Sequence, residues 1–215
     1  MKRSYFLLFT FYCLLFFTFL WGCGDSGPGS PGSQGTEDTG VILDATIVPL
    51  YLGTDTNDVD AFRDDCNPDP ILVEPEPYTQ HDATLTITAR LLNPNATFQA
   101  GTLYIEKYTV EYRRSTDSIG TPPIEQFTEF KTITIPAPVG AGSTSVTDTL
   151  FFMDLPRKER YKDDMLSGLF SSSMNNPFFL NNYTAIYKFE GQNEFGTKFS
   201  FTVQVGFVIG NFDNC

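Results

Sequence analysis

From Val41 to the end of the chain, apolar side chains recur at every second position in one segment after another, the pattern of strands buried on one face. Leu85, Ile87, Ala89 and Leu91 alternate with Thr84, Thr86, Thr88 and Arg90. Over 104–113, Tyr108, Val110 and Tyr112 alternate with Lys107, Thr109, Glu111 and Arg113. The clearest case is 198–209, where Phe199, Phe201, Val203, Val205 and Phe207 are set against Ser200, Thr202, Gln204 and Gly206. Further strands are predicted over 41–52, where Pro49 suggests an edge or a break, and over 127–135, 146–153 and 183–189, about seven in all. Asn93-Pro94-Asn95 and the Gly/Pro-rich stretches 120–123, 138–142 and 191–196 supply turns between them. One segment has helical period: Tyr161, Met165 and Leu169 fall at i, i+4 and i+8, with Pro156 ahead of them. That spacing predicts a helix over 158–170 that crosses one end of the fold and closes its core. Short strands separated by turns, with a single helix, predict an all-β antiparallel sandwich.

The first 40 residues follow a different pattern. Lys2 and Arg3 precede an uncharged, apolar run from Ser4 to Trp21, then Gly22, Cys23 and Gly24. A short basic start, an apolar run and a small residue before a cleavage point describe an export signal. A run of this length is also just long enough to span a bilayer, so an uncleaved membrane helix and a plain secretory signal cut elsewhere stay open. Residues 24–40 contain no aliphatic or aromatic side chain and cannot bury enough surface to offset their ordering entropy. They read as a flexible tether with an end-to-end distance of ~23 Å.

Leu20-Trp21-Gly22-Cys23 resembles the lipobox of bacterial lipoproteins. That resemblance implies cleavage before Cys23, diacylation of its thiol with chains such as palmitate, and a lipid bilayer as the partner of acylated Cys23. Two or three acyl chains anchor firmly where one does not. It divides the chain into a signal peptide (1–22), a lipidated cysteine with its tether (23–40) and one domain (41–215). Gly24 in place of an aspartate implies the outer membrane, on its periplasmic or surface side. Tyr183-Thr184-Ala185-Ile186-Tyr187 and Asn193-Glu194-Phe195-Gly196 resemble the F strand and F–G turn of immunoglobulin-like and fibronectin type III-like domains. Tyr108-Thr109-Val110-Glu111-Tyr112 is similar to a type III C strand. The resemblance implies an immunoglobulin-like sandwich of about seven strands with one short connecting helix. It departs from antibody-type domains in two respects: the only tryptophan, Trp21, lies in the signal, and the cysteines are not on the B and F strands. It carries no function with it. The whole chain is similar to small lipoproteins of Gram-negative bacteria, a group without an assigned activity.

Charge narrows the partners. The chain has 14 basic and 26 acidic residues, a formal charge of −12. Removing residues 1–22 takes away Lys2 and Arg3 and no acid, which carries the charge to −14. Such a surface repels phosphate backbones and anionic lipid head groups, which makes nucleic acid a poor partner, and none is expected. The 21 phenylalanines and 10 tyrosines supply a core. Cys13 leaves with the signal and Cys23 carries lipid, so Cys66 and Cys215 remain, and in an oxidising compartment they most simply pair. The bridge closes a loop of about 150 residues, for which chain entropy gives about 5 kcal/mol, and it pins the last residue.

Candidate chemistry is thin. Asp55, Asn57, Asp58, Asp60, Asp64 and Asp65 lie close enough to offer a calcium ion the oxygens it needs. The spacing is not that of an EF-hand, since no glycine turns the loop and Val59 occupies a ligand position, and the competing reading is a solvated acidic insertion held by Cys66. His81 is the only histidine, no Gly-x-Ser-x-Gly elbow is present, and a surface position beside Asp82 is expected for it. The basic run 157–162 is expected to form a wetted helix face. Phe178, Phe179 and Leu180 put three large apolar residues in one connection, either plugging the sandwich end or forming a partner-contact patch. No catalytic residue and no cofactor other than that calcium is assigned. The first expectation is a non-enzymatic binding or structural module of the envelope, contacting a protein or polysaccharide through connections 53–83, 114–126 and 154–182. The alternative is a calcium-dependent carbohydrate-active or hydrolytic protein using acids of segment 55–69.

Overall fold

The computed structural model describes residues 35–63, 66, 75–95, 100–115, 121–168, 170 and 180–212. All of these fall in one compact unit, 31–215; the expected signal and Cys23 lie outside the described residues.

Among the described residues a short 3-10 turn at Glu37–Thr39 leads into nine strands and one helix. They are β1 (Val41–Tyr51), β2 (Thr54–Asp55), β3 (Asp58–Asp60), β4 (His81–Leu91), β5 (Leu103–Arg114), β6 (Phe127–Ile135), β7 (Ser143–Met153), α1 (Leu155–Leu166), β8 (Asn181–Asn193) and β9 (Lys198–Gly210). The strands form two sheets, ordered β2-β1-β4-β7 and β3-β9-β8-β5-β6. Every pairing is antiparallel except that of β3 with β9. One core is common to both sheets, with Leu43, Leu85 and Ile87 from the first and Ile105, Tyr108, Tyr187 and Phe189 from the second. The described residues are mostly β, in two sheets with one helix, as the period-2 pattern predicts.

The alternation survives one interruption. In β5 the buried set changes from odd positions (Leu103, Ile105) to even ones (Tyr108, Val110, Tyr112), because a register shift falls between Ile105 and Lys107. A bulge of this kind returns apolar residues to the core face after an extra residue. Opposite it sits Gly191, where a Cβ would lie 2.0 Å from the Tyr104 carbonyl oxygen, so the strands approach there only because the side chain is missing. Buried tyrosines of the second sheet also tie the two layers together. Tyr187 donates its hydroxyl to the Phe151 carbonyl at 2.9 Å, and Tyr112 donates to the Phe152 carbonyl, both in β7.

Two elements went unpredicted and one is shifted. β2 and β3 fall inside the acidic insertion, too short to show a period. The helix spans 155–166, not 158–170. It starts early because the Asp154 carboxylate caps the Arg157 amide at 3.1 Å and Pro156 suits the first turn. It stops early because Gly168 takes a left-handed φ of +75°. Residues 35–40, assigned above to the tether, are packed: Thr36 is fully buried, and a Cβ on Gly35 would meet the Ser200 carbonyl oxygen at 2.4 Å.

The registers sort the connections between two poles. β1, β5, β7 and β9 start at one pole, where β4, β6 and β8 end. Residues 35–40 enter there, and the connections 92–102, 136–142 and 194–197 turn there. The described residues of the long connections, 52–63, 75–80, 121–126 and 154–168, and α1 with them, belong to the other pole. A 13-residue strand at ~3.3 Å per residue separates the two by ~40 Å.

Candidate functional site

The loop pole is organised by a buried polar cluster that the sequence does not announce. β3 runs parallel beside β9, and its backbone continues the sheet with Ala61 N–H donating to the Gly210 carbonyl at 2.8 Å. This places Asp60 inside, 1 % exposed, where its Oδ1 accepts from the amides of Phe62 (3.1 Å) and Phe212 (3.2 Å). Lys158, from the first turns of α1, is fully buried against it. Its Nζ donates to the Thr79 carbonyl at 2.6 Å and lies 5.1 Å from the Tyr51 ring centroid and 4.9 Å from that of Tyr78. Two aromatic faces thus take the place of water around the ammonium. Glu76, 1 % exposed, is the second carboxylate of the cluster, and His81 stacks on Tyr51 with ring centroids 4.3 Å apart.

Burial sets the protonation of these groups. It pushes the Asp60 carboxyl up to about 6, against the two amide hydrogen bonds that pull it down. It lowers Lys158 to about 8, with Asp60 and Glu76 opposing. His81 is lowered to about 3, by burial first and the Lys158 charge second, so it is a neutral ring at physiological pH. Its Nε2 faces the Asp58 carbonyl at 3.1 Å. His81 Nδ1, Asp60 Oδ2 and Asn211 Oδ1 are buried without a hydrogen-bond partner among the described residues.

These placements correct two expectations. His81 is not a surface residue: it occupies the first inward position of β4, ahead of Ala83, Leu85 and Ile87. The run 157–162 is not a wetted face throughout. Lys158 is buried, and Arg157 donates to the carbonyls of Glu125 (2.8 Å) and Gln126 (3.3 Å) with its guanidinium 4.6 Å from the Phe127 ring centroid. Arg160 alone of the run fits a solvated surface pair, with Glu125 at 3.1 Å.

Of the acids offered as calcium ligands, Asp55, Asn57 and Asp58 are exposed while Asp60 turns into the core; Asp64 and Asp65 lie outside the described residues. Among the described residues no three His, Cys, Asp or Glu side chains converge as a metal would require. Phe178 and Phe179 lie outside the described residues, and Leu180, 39 % exposed, sits at the loop pole before β8. Cys23 and Cys215 also lie outside them; Cys66 is half-buried. Open surface depressions of about 490, 240 and 240 Å³ occur, and no member of the buried cluster lines any of the three. The cluster lies in the interior: Asp60, Glu76, His81 and Lys158 are each at most 1 % exposed. Its chemistry is cohesive: it fastens the 52–80 connection, α1 and the end of β9 to one another. Among the described residues no helix is long and apolar enough to cross a membrane.

Compared with protein-family models and with curated proteins, the chain matches none.

Proposed function

We propose that the protein is an exported lipoprotein, anchored through acylated Cys23, whose immunoglobulin-like domain acts by binding another envelope component and not by catalysis. The observation that carries this reading is the polarity of the domain. The described chain enters at one pole, and the described parts of the three long connections, 52–63, 75–80, 121–126 and 154–168, gather at the other, ~40 Å away. An anchored module built this way holds its variable connections away from the lipid on a rigid scaffold. Asp60, His81 and Lys158, whose acidities burial shifts, are at most 1 % exposed and serve the scaffold. Sheet order supports the immunoglobulin-like assignment: β1, β4 and β7 stand as strands A, B and E, and β9, β8, β5 and β6 as G, F, C and C′.

The Cys66–Cys215 disulfide belongs to the same reading. β3 and β9 run in parallel, and Asp60 accepts from the Phe212 amide, so the two strands end side by side shortly before Cys66 and Cys215 in sequence. The test of the binding role is a photo-crosslinking residue at Leu180 or Leu166 in intact cells. A discrete adduct from these positions, absent from Lys198 at the entry pole, is expected; no adduct from any loop-pole position contradicts the reading.

A further inference from the structure

The entry pole carries features that a passive end of a sandwich does not need. Three turns there each expose a large apolar side chain: Leu92 (50 %), Val139 (77 %) and Phe195 (70 %). They belong to three different connections, so no one strand's pattern produces them. An open depression of about 490 Å³ is lined by Gly35 and Lys198 at this pole and by Glu106, Lys107, Lys188 and Glu190 of β5 and β8. Glu190 pairs with Lys107 at 2.9 Å and Lys188 at 3.2 Å, and Lys198 has no ion pair among the described residues. On a chain this acidic, a place where lysines outnumber carboxylates is local.

We infer that this pole docks on the phospholipid surface that holds Cys23, with Leu92, Val139 and Phe195 set into the interfacial layer and the lysines of the depression facing lipid phosphates. The inference rests on the anchored reading above and adds the domain's orientation to it. The connection argues for a bilayer as the occupant. Only eleven residues separate Cys23 from Gly35, which lies so close to Ser200 that a Cβ on it would meet the Ser200 carbonyl oxygen at 2.4 Å. A chain of that length and composition has an end-to-end distance of ~20 Å, which keeps the apolar turns beside the lipid. Tethering at this range gives an effective concentration on the order of millimolar, so contacts too weak to bind a free domain are populated. The acidic remainder of the surface is repelled by an anionic membrane, which favours the orientation with this pole down. Docking so oriented would hold the loop pole upright.

The mature chain has no tryptophan once Trp21 is removed, so Phe195→Trp introduces a single reporter. The full lipidated chain is placed in phosphatidylethanolamine/phosphatidylglycerol vesicles with brominated acyl chains. Phe130→Trp, on the exposed side of β6, and Leu166→Trp, at the loop pole, serve as controls. Apolar residues of docked elements sit ~5–10 Å into the interface, so Trp emission at 195 should be quenched about twofold and shifted to the blue. Emission from the two controls should stay unchanged, and Lys107→Glu/Lys188→Glu/Lys198→Glu should abolish the quenching. Equal emission at all three positions in a chain that floats with the vesicles overturns the docking and leaves the anchor standing. A chain that neither floats nor carries lipid at Cys23 overturns both.

Discussion

Replacing Lys158 by methionine tests whether the buried cluster holds the loop pole together. Methionine keeps the length and apolar volume of the side chain and removes only the ammonium. Asp60, 1 % exposed, then stays in the interior without the Lys158 charge that opposes the cost of its burial. Removing the ammonium's field from the buried Asp60 and its hydrogen bond from the Thr79 carbonyl costs about 3 kcal/mol, a large share of the 5–15 kcal/mol typical of a domain. At 2–4 °C per kcal/mol for a chain of this size, the melting temperature at pH 7.5 should fall by about 10 °C. The pH dependence supplies the control. The Asp60 carboxyl titrates near 6 in the fold against an ordinary 3.8, so its folded state holds the proton more tightly. Stability from this group is whole below the ordinary value and is lost as pH rises to about 6, a swing of about 3 kcal/mol. Without the cation its folded value moves higher still, so the deficit of Lys158→Met should shrink as pH falls from 7.5 to 5. Asp60→Asn combined with Lys158→Met should recover part of the loss at pH 7.5, since the amide oxygen still accepts from Phe62 and Phe212. Urea unfolding followed by circular dichroism at pH 5 and 7.5 reads all of this. An unchanged midpoint for Lys158→Met at pH 7.5, or a deficit equal at both pH values, refutes the reasoning.

Three further outcomes follow from the packing. Gly191→Ala puts a methyl where only 2.0 Å separates it from the Tyr104 carbonyl oxygen, so β5 and β8 must part; a loss of about 2 kcal/mol or more is expected in urea unfolding. Tyr112→Phe removes the hydroxyl that donates to Phe152 across the two sheets and should lower stability by about 1–2 kcal/mol, read from the same midpoint. Cys66→Ser should speed amide exchange at Ala61 and Phe212, whose hydrogen bonds join β3 to the end of β9, while leaving β5 and β8 protected.

The sandwich was legible because seven long segments each bury one face, and a two-residue period needs only a handful of positions to declare itself. β5 shows its limit: reading from Tyr108 gives the right faces, but the bulge before Lys107 reverses them for Leu103 and Ile105. β2 and β3 were not legible, because strands of two and three residues owe their shape to the β1 and β9 edges they pair with. An aspartate in an acidic stretch reads as solvated, and nothing local says that Asp60 turns inward. Two signals were present and unused. His81 is in phase with Ala83, Leu85 and Ile87, and Lys158 stands three residues before Tyr161 on the helix's inward stripe. Glu76 and Tyr78 come from a proline-spaced stretch with no period, and only the fold brings them to Lys158.

The central claim is that an anchored domain presents its loop pole away from lipid, and it begins at position 23. Intact-mass spectrometry of the chain isolated from native membranes tests this most directly. The account predicts a mature chain beginning at Cys23 with a mass increment of a diacylglyceryl group. A chain that retains residues 1–22, or that begins elsewhere with an unmodified thiol at Cys23, contradicts it.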